Sequence, residues 1–382
     1  MKNNLAFRML VQLDLRHTAS RAMTSGVLRF AAAHRDLEVQ FTSCEPNDYY
    51  RAWKPNALIT DASSQTCTRE TLADLAGRAI VYVNTTPRAD LRRPYATITT
   101  DERQLALTAT DLLLGKNLNT FAFVGTPEKA KWSEARRRLF QAALKDRGKR
   151  LLTFTAPAAA DWRTQERALA DWLLNLPKPC GIWAACDARA KQVLDTCRLA
   201  KIDVPDQIQV LGVDDDNYIC ELTLPSLSSI APDFEAGGFA AAEFLYGILT
   251  GSKVATRTVL KFNIKGAVER LSTADVNGTA RRVTAAREYI RKHATAGISV
   301  PDVAASLGVS TRLLEKNYRA VTGRTVLADI QALRLEKVKD MLRKTTMPID
   351  NIGPFCGFNS PSHLKTLFRS TFGMTMSDYR RS

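Results

Sequence analysis

No stretch of this 382-residue chain reaches the ~18 consecutive apolar residues that a membrane-spanning helix needs, which excludes a membrane span, and no membrane partner is expected. The start, from Met1 to His17, lacks the apolar core and small-residue cleavage site of a secretory signal, so a cytoplasmic location is expected. The seven cysteines (Cys44, Cys67, Cys180, Cys186, Cys197, Cys220, Cys356) are odd in number, scattered and free of any CxxC pair. They read as ordinary thiols of a reducing compartment. The four histidines (His17, His34, His293, His363) lie too far apart for a zinc site, and no metal or cofactor is expected. Missing too are a GxGxxG after the first strand, a Walker GxxxxGK[ST] and a GxSxG elbow. Their joint absence argues against a dinucleotide enzyme, a P-loop NTPase and a serine hydrolase.

What is present is ordinary globular material, 45% hydrophobic and 24% charged, enough for two or three domains at roughly 150 residues each. The charge is uneven. Of the formal +15, a net +10 falls between Arg281 and Ser382, where 18 Lys or Arg face 8 Asp or Glu. A basic end on a near-balanced body points to a polyanion, most naturally nucleic acid, although a merely well-solvated surface would also carry such charge. The polar stretch Ser272–Thr279 marks the join. The expected division is a first part over 1–272, a linker over 273–279 and a basic part over 280–382.

The first part alternates apolar runs with helical patterns. Strand-like runs lie at Phe7–Leu13, Leu37–Phe41, Ala57–Thr60, Ile80–Asn84, Thr120–Gly125, Gly181–Ala185 and Ile208–Val213. Helical patterns lie at Ala19–Ala33, Arg103–Leu114, Ser133–Lys145, Arg163–Leu174 and Ala188–Leu199. This alternation predicts an α/β fold of doubly wound parallel sheets, in two lobes because some 260 residues exceed one typical sheet. Ligands in such sheets bind at the carboxyl ends of the strands. The polar residues there are Asp101, Asp187, the run Asp214-Asp215-Asp216, and Arg136, Arg137 and Arg138, which are expected to open a helix. Carboxylates facing an arginine suit a polyol: each carboxylate accepts from vicinal hydroxyls and the guanidinium donates to oxygens. Other readings stand beside this one. Asp101 and Asp187 would also serve as helix N-caps, two of the three arginines as a solvated face, and the acid run as a magnesium site, though no phosphate-cradling loop accompanies it.

Several stretches resemble the periplasmic-binding-protein-like sensor of the lactose-repressor/galactose-repressor superfamily, and more closely that of the xylose-operon regulators. They are Phe121–Pro127, Trp132–Arg136 with Phe140, Ala184–Arg189, Val210–Asp214, Leu227–Ile230 and Gly238–Ala242. The resemblance implies ligand contacts from Asp101, Arg136, Asp187 and Asp214. Cys186 stands where that family has Asn, which removes hydrogen bonds, and the loop Arg16–Met23 differs enough that the sugar is not carried over.

The basic end contains a degenerate repeat. Gly308, Ser310, Leu314, Tyr318 and Gly323 recur about fifty residues later as Gly357, Ser360, Leu364, Phe368 and Gly373. Each unit reads as a short helix (Val300–Ser306, Ile349–Phe355), a Gly turn and a Ser-capped second helix, the helix-turn-helix pattern. The amphipathic stretch Val326–Lys344 reads as a long helix that fixes their spacing, so that two recognition helices can meet one DNA face about 34 Å apart. The layout resembles the AraC/XylS-type DNA-binding domain over Ala280–Ser382, with Met376 where Pro is usual, Ser370 where Lys is common, and Pro361 and His363 inside the second recognition segment. By that resemblance Arg312, Glu315 and Lys316 contact bases in the first unit, and Ser362, His363 and Thr366, with Lys365 nearby, occupy the second. Arg or Lys can address guanine and Glu can accept from cytosine. The shorter second set is expected to contact mainly phosphates. The sequence therefore predicts a sugar-responsive transcriptional regulator, not an enzyme, with double-stranded DNA and a monosaccharide, xylose or a relative, as partners. Activation, a homodimer and contact with RNA polymerase are expected. A repressor, a sensor of a non-sugar molecule and a DNA-tethered α/β enzyme are the alternatives.

Overall fold

The computed structural model describes residues 7–42, 53–61, 79–83, 95–116, 118–128, 130–157, 161–253, 257–274 and 278–381. Part of the expected linker, 275–277, lies outside these residues, as do Cys44, Cys67 and Asn84. The chain divides into two units, Met1–Thr273 and Ala274–Ser382.

The first unit holds two α/β lobes. In one, β1 (Phe7–Gln12), β2 (Leu37–Thr42), β3 (Ala57–Thr60), β4 (Ala79–Val83), β5 (Tyr95–Thr100) and the late β11 (Arg257–Phe262) form a parallel sheet of order β11-β5-β4-β3-β1-β2. In the other, β6 (Thr120–Val124), β7 (Leu151–Phe154), β8 (Cys180–Ala184), β9 (Ile208–Val213), β10 (Ser228–Pro232) and β12 (Ile264–Val268) follow the order β12-β10-β9-β8-β6-β7. Only the β10–β12 pair there is antiparallel. Helices α1 (Thr18–Ala32), α2 (Glu102–Leu114), α3 (Lys131–Lys145), α4 (Trp162–Asn175), α5 (Asp187–Leu199), α6 (Asn217–Leu222) and α7 (Phe234–Leu249) complete the unit.

The unbroken apolar strands of the second lobe follow from burial on both faces. Phe121, Phe123, Trp183 and Leu211 pack with Leu105, Leu113, Phe140 and Leu144 of α2 and α3. The alternate residues Ala122, Val124, Ile182 and Val210 pack with Leu169, Leu173, Val193 and Leu194 of α4 and α5. Strands β7, β10, β11 and β12 have no counterpart among the strand-like runs, and β5 enters the sequence reading only as the stretch before Asp101. Arg257–Phe262 alternates exposed and covered residues, an edge pattern that is easily mistaken for a loop. Arg136, Arg137 and Arg138 do not open their helix: α3 begins at Lys131 and places them in its second turn.

The chain passes between lobes three times, at Asp101, Asp233 and Asn263. The crossovers are tied together. The Asp101 amide donates to the Phe262 carbonyl at 2.9 Å, and the Asp233 amide to the Asn263 carbonyl at 2.9 Å. The Ile264 amide donates to Gln104 Oε1 at 3.2 Å.

In the second unit, the helices are α8 (Gly278–His293), α9 (Val300–Ser306), α10 (Thr311–Thr322), α11 (Val326–Lys344), α12 (Ile349–Phe355), α13 (Pro361–Phe372) and α14 (Met376–Arg381). The repeat is structural. Ser310 Oγ accepts from the Leu313 amide and Ser360 Oγ from the His363 amide, each at 3.3 Å. Gly323 and Gly373 end α10 and α13 with φ of 69° and 71°, left-handed caps that favour glycine.

In the first lobe, α1 and α7 approach so closely that a Cβ on Gly238 would sit 1.8 Å from the Met23 carbonyl oxygen, and one on Gly26 1.9 Å from that of Glu235. Gly238→Ala must push the helices apart and should destabilise the protein by about 1–3 kcal/mol in urea unfolding. Gly247→Ala on the same helix, whose Cβ would meet nothing nearer than Ser252 Oγ at 3.4 Å, should not.

Candidate ligand cleft and DNA-reading helices

A cavity of about 300 Å³ opens between the lobes, at the carboxyl ends of their strands. This is the small end of the ligand-site range, about 300–1,000 Å³. The first lobe lines it with Leu13, Thr18 and Met23, and the second with Trp132, Arg136, Asp187, Asp214 and Asp216. Phe234 enters from the second crossover.

Arg136 is only 6% exposed. Its Nε donates to Glu102 Oε2 at 2.8 Å, one terminal nitrogen donates to the Ala185 carbonyl, and its guanidinium lies 4.8 Å from the centre of the Trp132 ring. Burial opposes its charge, but Glu102 and Asp214 outweigh burial and hold the guanidinium protonated. Asp214 follows β9 with φ of 114°, and Asp215 has φ of 48°, both in the left-handed region that non-glycine residues seldom enter. Burial pushes the Asp214 carboxyl up to about 7, against the pull of Arg136 and with the aid of Glu102 and Asp216. The cleft thus pairs a fixed cation with a carboxyl that changes charge near neutrality, donors and acceptors suited to hydroxyl groups.

Asp187 also lines the cleft, yet its oxygens are engaged within the protein. Oδ1 accepts from Ser229 Oγ at 2.6 Å, and Oδ2 accepts from the Asp216 amide at 2.8 Å and from Cys220 Sγ at 3.4 Å. Its carboxyl is held well above the ordinary carboxylate range, by burial first and then by Asp214. Asp101 is not among the residues that line the cleft. Its carboxylate caps α2, accepting from the Arg103 and Gln104 amides at 3.0 and 3.2 Å, while the adjacent Glu102 reaches Arg136. Arg137 pairs with Glu134 at 3.0 Å, and Arg138 donates to the Glu134 carbonyl. Cys186 is the N-cap of α5 but makes no side-chain cap bond.

Several lining residues escaped sequence reasoning. Asp216 caps α6 and accepts from Thr18 Oγ1 at 2.7 Å, a bond from one lobe to the other. Its place in the acid run was a signal, as was that of Thr18 in the pocket stretch Arg16–Met23, whereas Phe234 offered none. Arg270, 1% exposed, holds the Asp215 carboxylate at 2.8 Å.

In the second unit, Arg312 and Lys316 are exposed on α10, and the half-buried Glu315 lies 3.8 Å from Arg319. On α13, Ser362, His363, Lys365 and Thr366 are exposed, and Lys365 pairs with Asp350 at 2.8 Å. Among the described residues no helix is long and apolar enough to cross a membrane.

Residues 110–273 match the periplasmic binding protein-like domain family and 303–382 a helix-turn-helix domain family. The chain is 31% identical over 339 residues to the xylose operon regulatory protein of Escherichia coli (strain K12), covering 87% of this chain and 86% of that protein. A protein of the same name from Haemophilus influenzae is 30% identical over 77% of this chain and 76% of its own. The solved structure of a xylose-binding transcription activator, xylR, superposes with a TM-score of 0.61 at 28% identity, covering 98% of this chain and 97% of that one.

The raised carboxyls of Asp214 and Asp187 make stability depend on pH. Each ionises more readily in the unfolded chain, so its contribution is full in acid and, for Asp214, is lost as pH rises through about 7. The thermal midpoint of the ligand-free protein should therefore fall as pH rises from about 4 to about 7, and Asp214→Asn should flatten that fall. An unchanged slope in the variant would refute the assignment.

Proposed function

The chain belongs to the family of xylose operon regulatory proteins, and from that membership we propose that it is a xylose-responsive activator that binds its sugar between the two lobes. It is a DNA-binding transcriptional regulator and not an enzyme. The observation that carries the sugar reading is the buried Arg136, which lines a cleft of monosaccharide size together with Asp214.

In this reading Arg136 donates to ring or hydroxyl oxygens, Asp214 accepts from hydroxyls, and Asp187 positions Asp214 and Asp216 from behind. Asp101 acts indirectly, by fixing the start of α2 and so the neighbouring Glu102. The sugar favours the closed arrangement only by its differential affinity for it. Residues 1–272 form the sensor, 273–279 the linker and 280–382 the DNA-binding domain. We assign base contacts to Arg312, Glu315 and Lys316, and backbone contacts mainly to Ser362, His363, Lys365 and Thr366. A cytoplasmic homodimer that engages RNA polymerase completes the proposal. Tyr218, Leu222 and Leu224, each more than 70% exposed near α6, support self-association.

Isothermal titration with xylose tests the cleft. Arg136→Ala and Asp214→Ala should each weaken binding by about 2–5 kcal/mol, since each leaves a buried partner unpaired, while Arg138→Ala should leave it unchanged. Parental affinity in Arg136→Ala would overturn the assignment.

Fluorescence anisotropy on promoter DNA tests the division of labour. Arg312→Ala should weaken specific binding by about 1–3 kcal/mol and leave xylose affinity unchanged. Equal losses of both would refute separate sites.

A further inference from the structure

The second lobe holds another cavity, of about 310 Å³, that shares no residue with the cleft. It lies where β6 and β7 end, the position at which ligands bind in open parallel sheets. Arg189, Arg137, Glu134, Thr126, Thr153 and Thr155 are among the residues that line it.

Arg189 is unusual there. It is 6% exposed, its Nε donates to the Gly125 carbonyl at 2.9 Å, and one terminal nitrogen donates to Gln192 Oε1. Both acceptors are neutral, and among the described residues no carboxylate forms an ion pair with it. Burial lowers the pKa of its guanidinium, offset only in part by Cys186 and Glu128. A buried charge with no carboxylate in direct contact is costly, and proteins ordinarily pair such groups. Arg137, one residue beyond the cleft arginine, faces this second cavity, and its own partner Glu134 leaves the lining with two cations against one anion.

We propose that this cavity is a second ligand site, for a small phosphate-class anion, with Arg189 as the buried counter-charge, Arg137 as the outer clamp and threonine hydroxyls as further donors. Two guanidinium forks and several hydroxyls match the acceptor-rich geometry of a phosphate group. The site is independent of the sugar reading, because no cleft residue takes part.

The test is isothermal titration of the full chain, at fixed ionic strength, with inorganic phosphate, glycerol 3-phosphate and glycerol. At least one anion should bind and glycerol should not. Stronger binding of glycerol 3-phosphate identifies a phosphomonoester site, and equal or stronger binding of phosphate a free-phosphate site. Arg189→Gln should weaken the anion by about tenfold or more and Arg137→Ala by about fivefold or more. Should Arg189→Gln fail to fold, the half-exposed Arg137→Ala decides alone. Absence of binding by both anions, or parental affinity in Arg137→Ala, overturns the proposal.

Discussion

Asp187 sits at 1% exposure with both oxygens engaged, and three strands and a helix take their positions from it. It follows β8, receives the Ser229 hydroxyl from β10 and the Asp216 amide at the start of α6, and lies against β9 so closely that a Cβ on Gly212 would meet its Oδ1 at 2.1 Å. Gly212 is therefore required by a neighbour's carboxylate rather than by its own backbone. The same arrangement sets the left-handed turn at Asp214 and Asp215, because the chain leaving β9 is fastened on each side of that turn: the Asp214 amide donates to the Ile230 carbonyl, and the Asp216 amide to Asp187. A strained segment persists only where its surroundings over-determine it. Here two hydrogen bonds and the Arg270–Asp215 pair do so.

Much of this was legible from residue order alone. Alternating apolar runs and helical patterns gave two parallel-sheet lobes, since burial on both faces leaves strands without polar positions. The tandem helix-turn-helix units were legible because glycine turns and serine caps are local requirements that recur wherever the backbone does. Val300–Ser306, Val326–Lys344 and Ile349–Phe355 are helices as expected. The cleft was legible at Asp214, directly past β9, and at Arg136, on the helix that follows β6, and both line it.

The remainder depended on contacts distant in sequence. Whether a carboxylate after a strand faces a ligand or a backbone amide is decided by which helix begins beside it, and Asp101 and Glu102, adjacent in the chain, divide those two tasks. Thr18 and Asp216 are 198 positions apart and meet only because the lobes face one another. The edge strands β11 and β12 arise from the chain returning to both sheets after α7, a topological event with no local signature.

The second unit has two cores, and they divide one helix between them. Val326 and Ile330 of α11 belong with Val283, Val303, Leu314 and Tyr318, whereas Leu335, Val338 and Leu342 belong with Ile352, Leu364 and Phe368. At the changeover Arg334 donates to the Ala294 and Ile298 carbonyls, each at 2.7 Å, and its Nε lies 3.0 Å from where a Cβ on Gly357 would stand. The two halves thus keep separate packed interiors that share α11, rather than being fused into one. Loss of order in the second half would leave the first with its own packed interior, and with it the helix bearing Arg312.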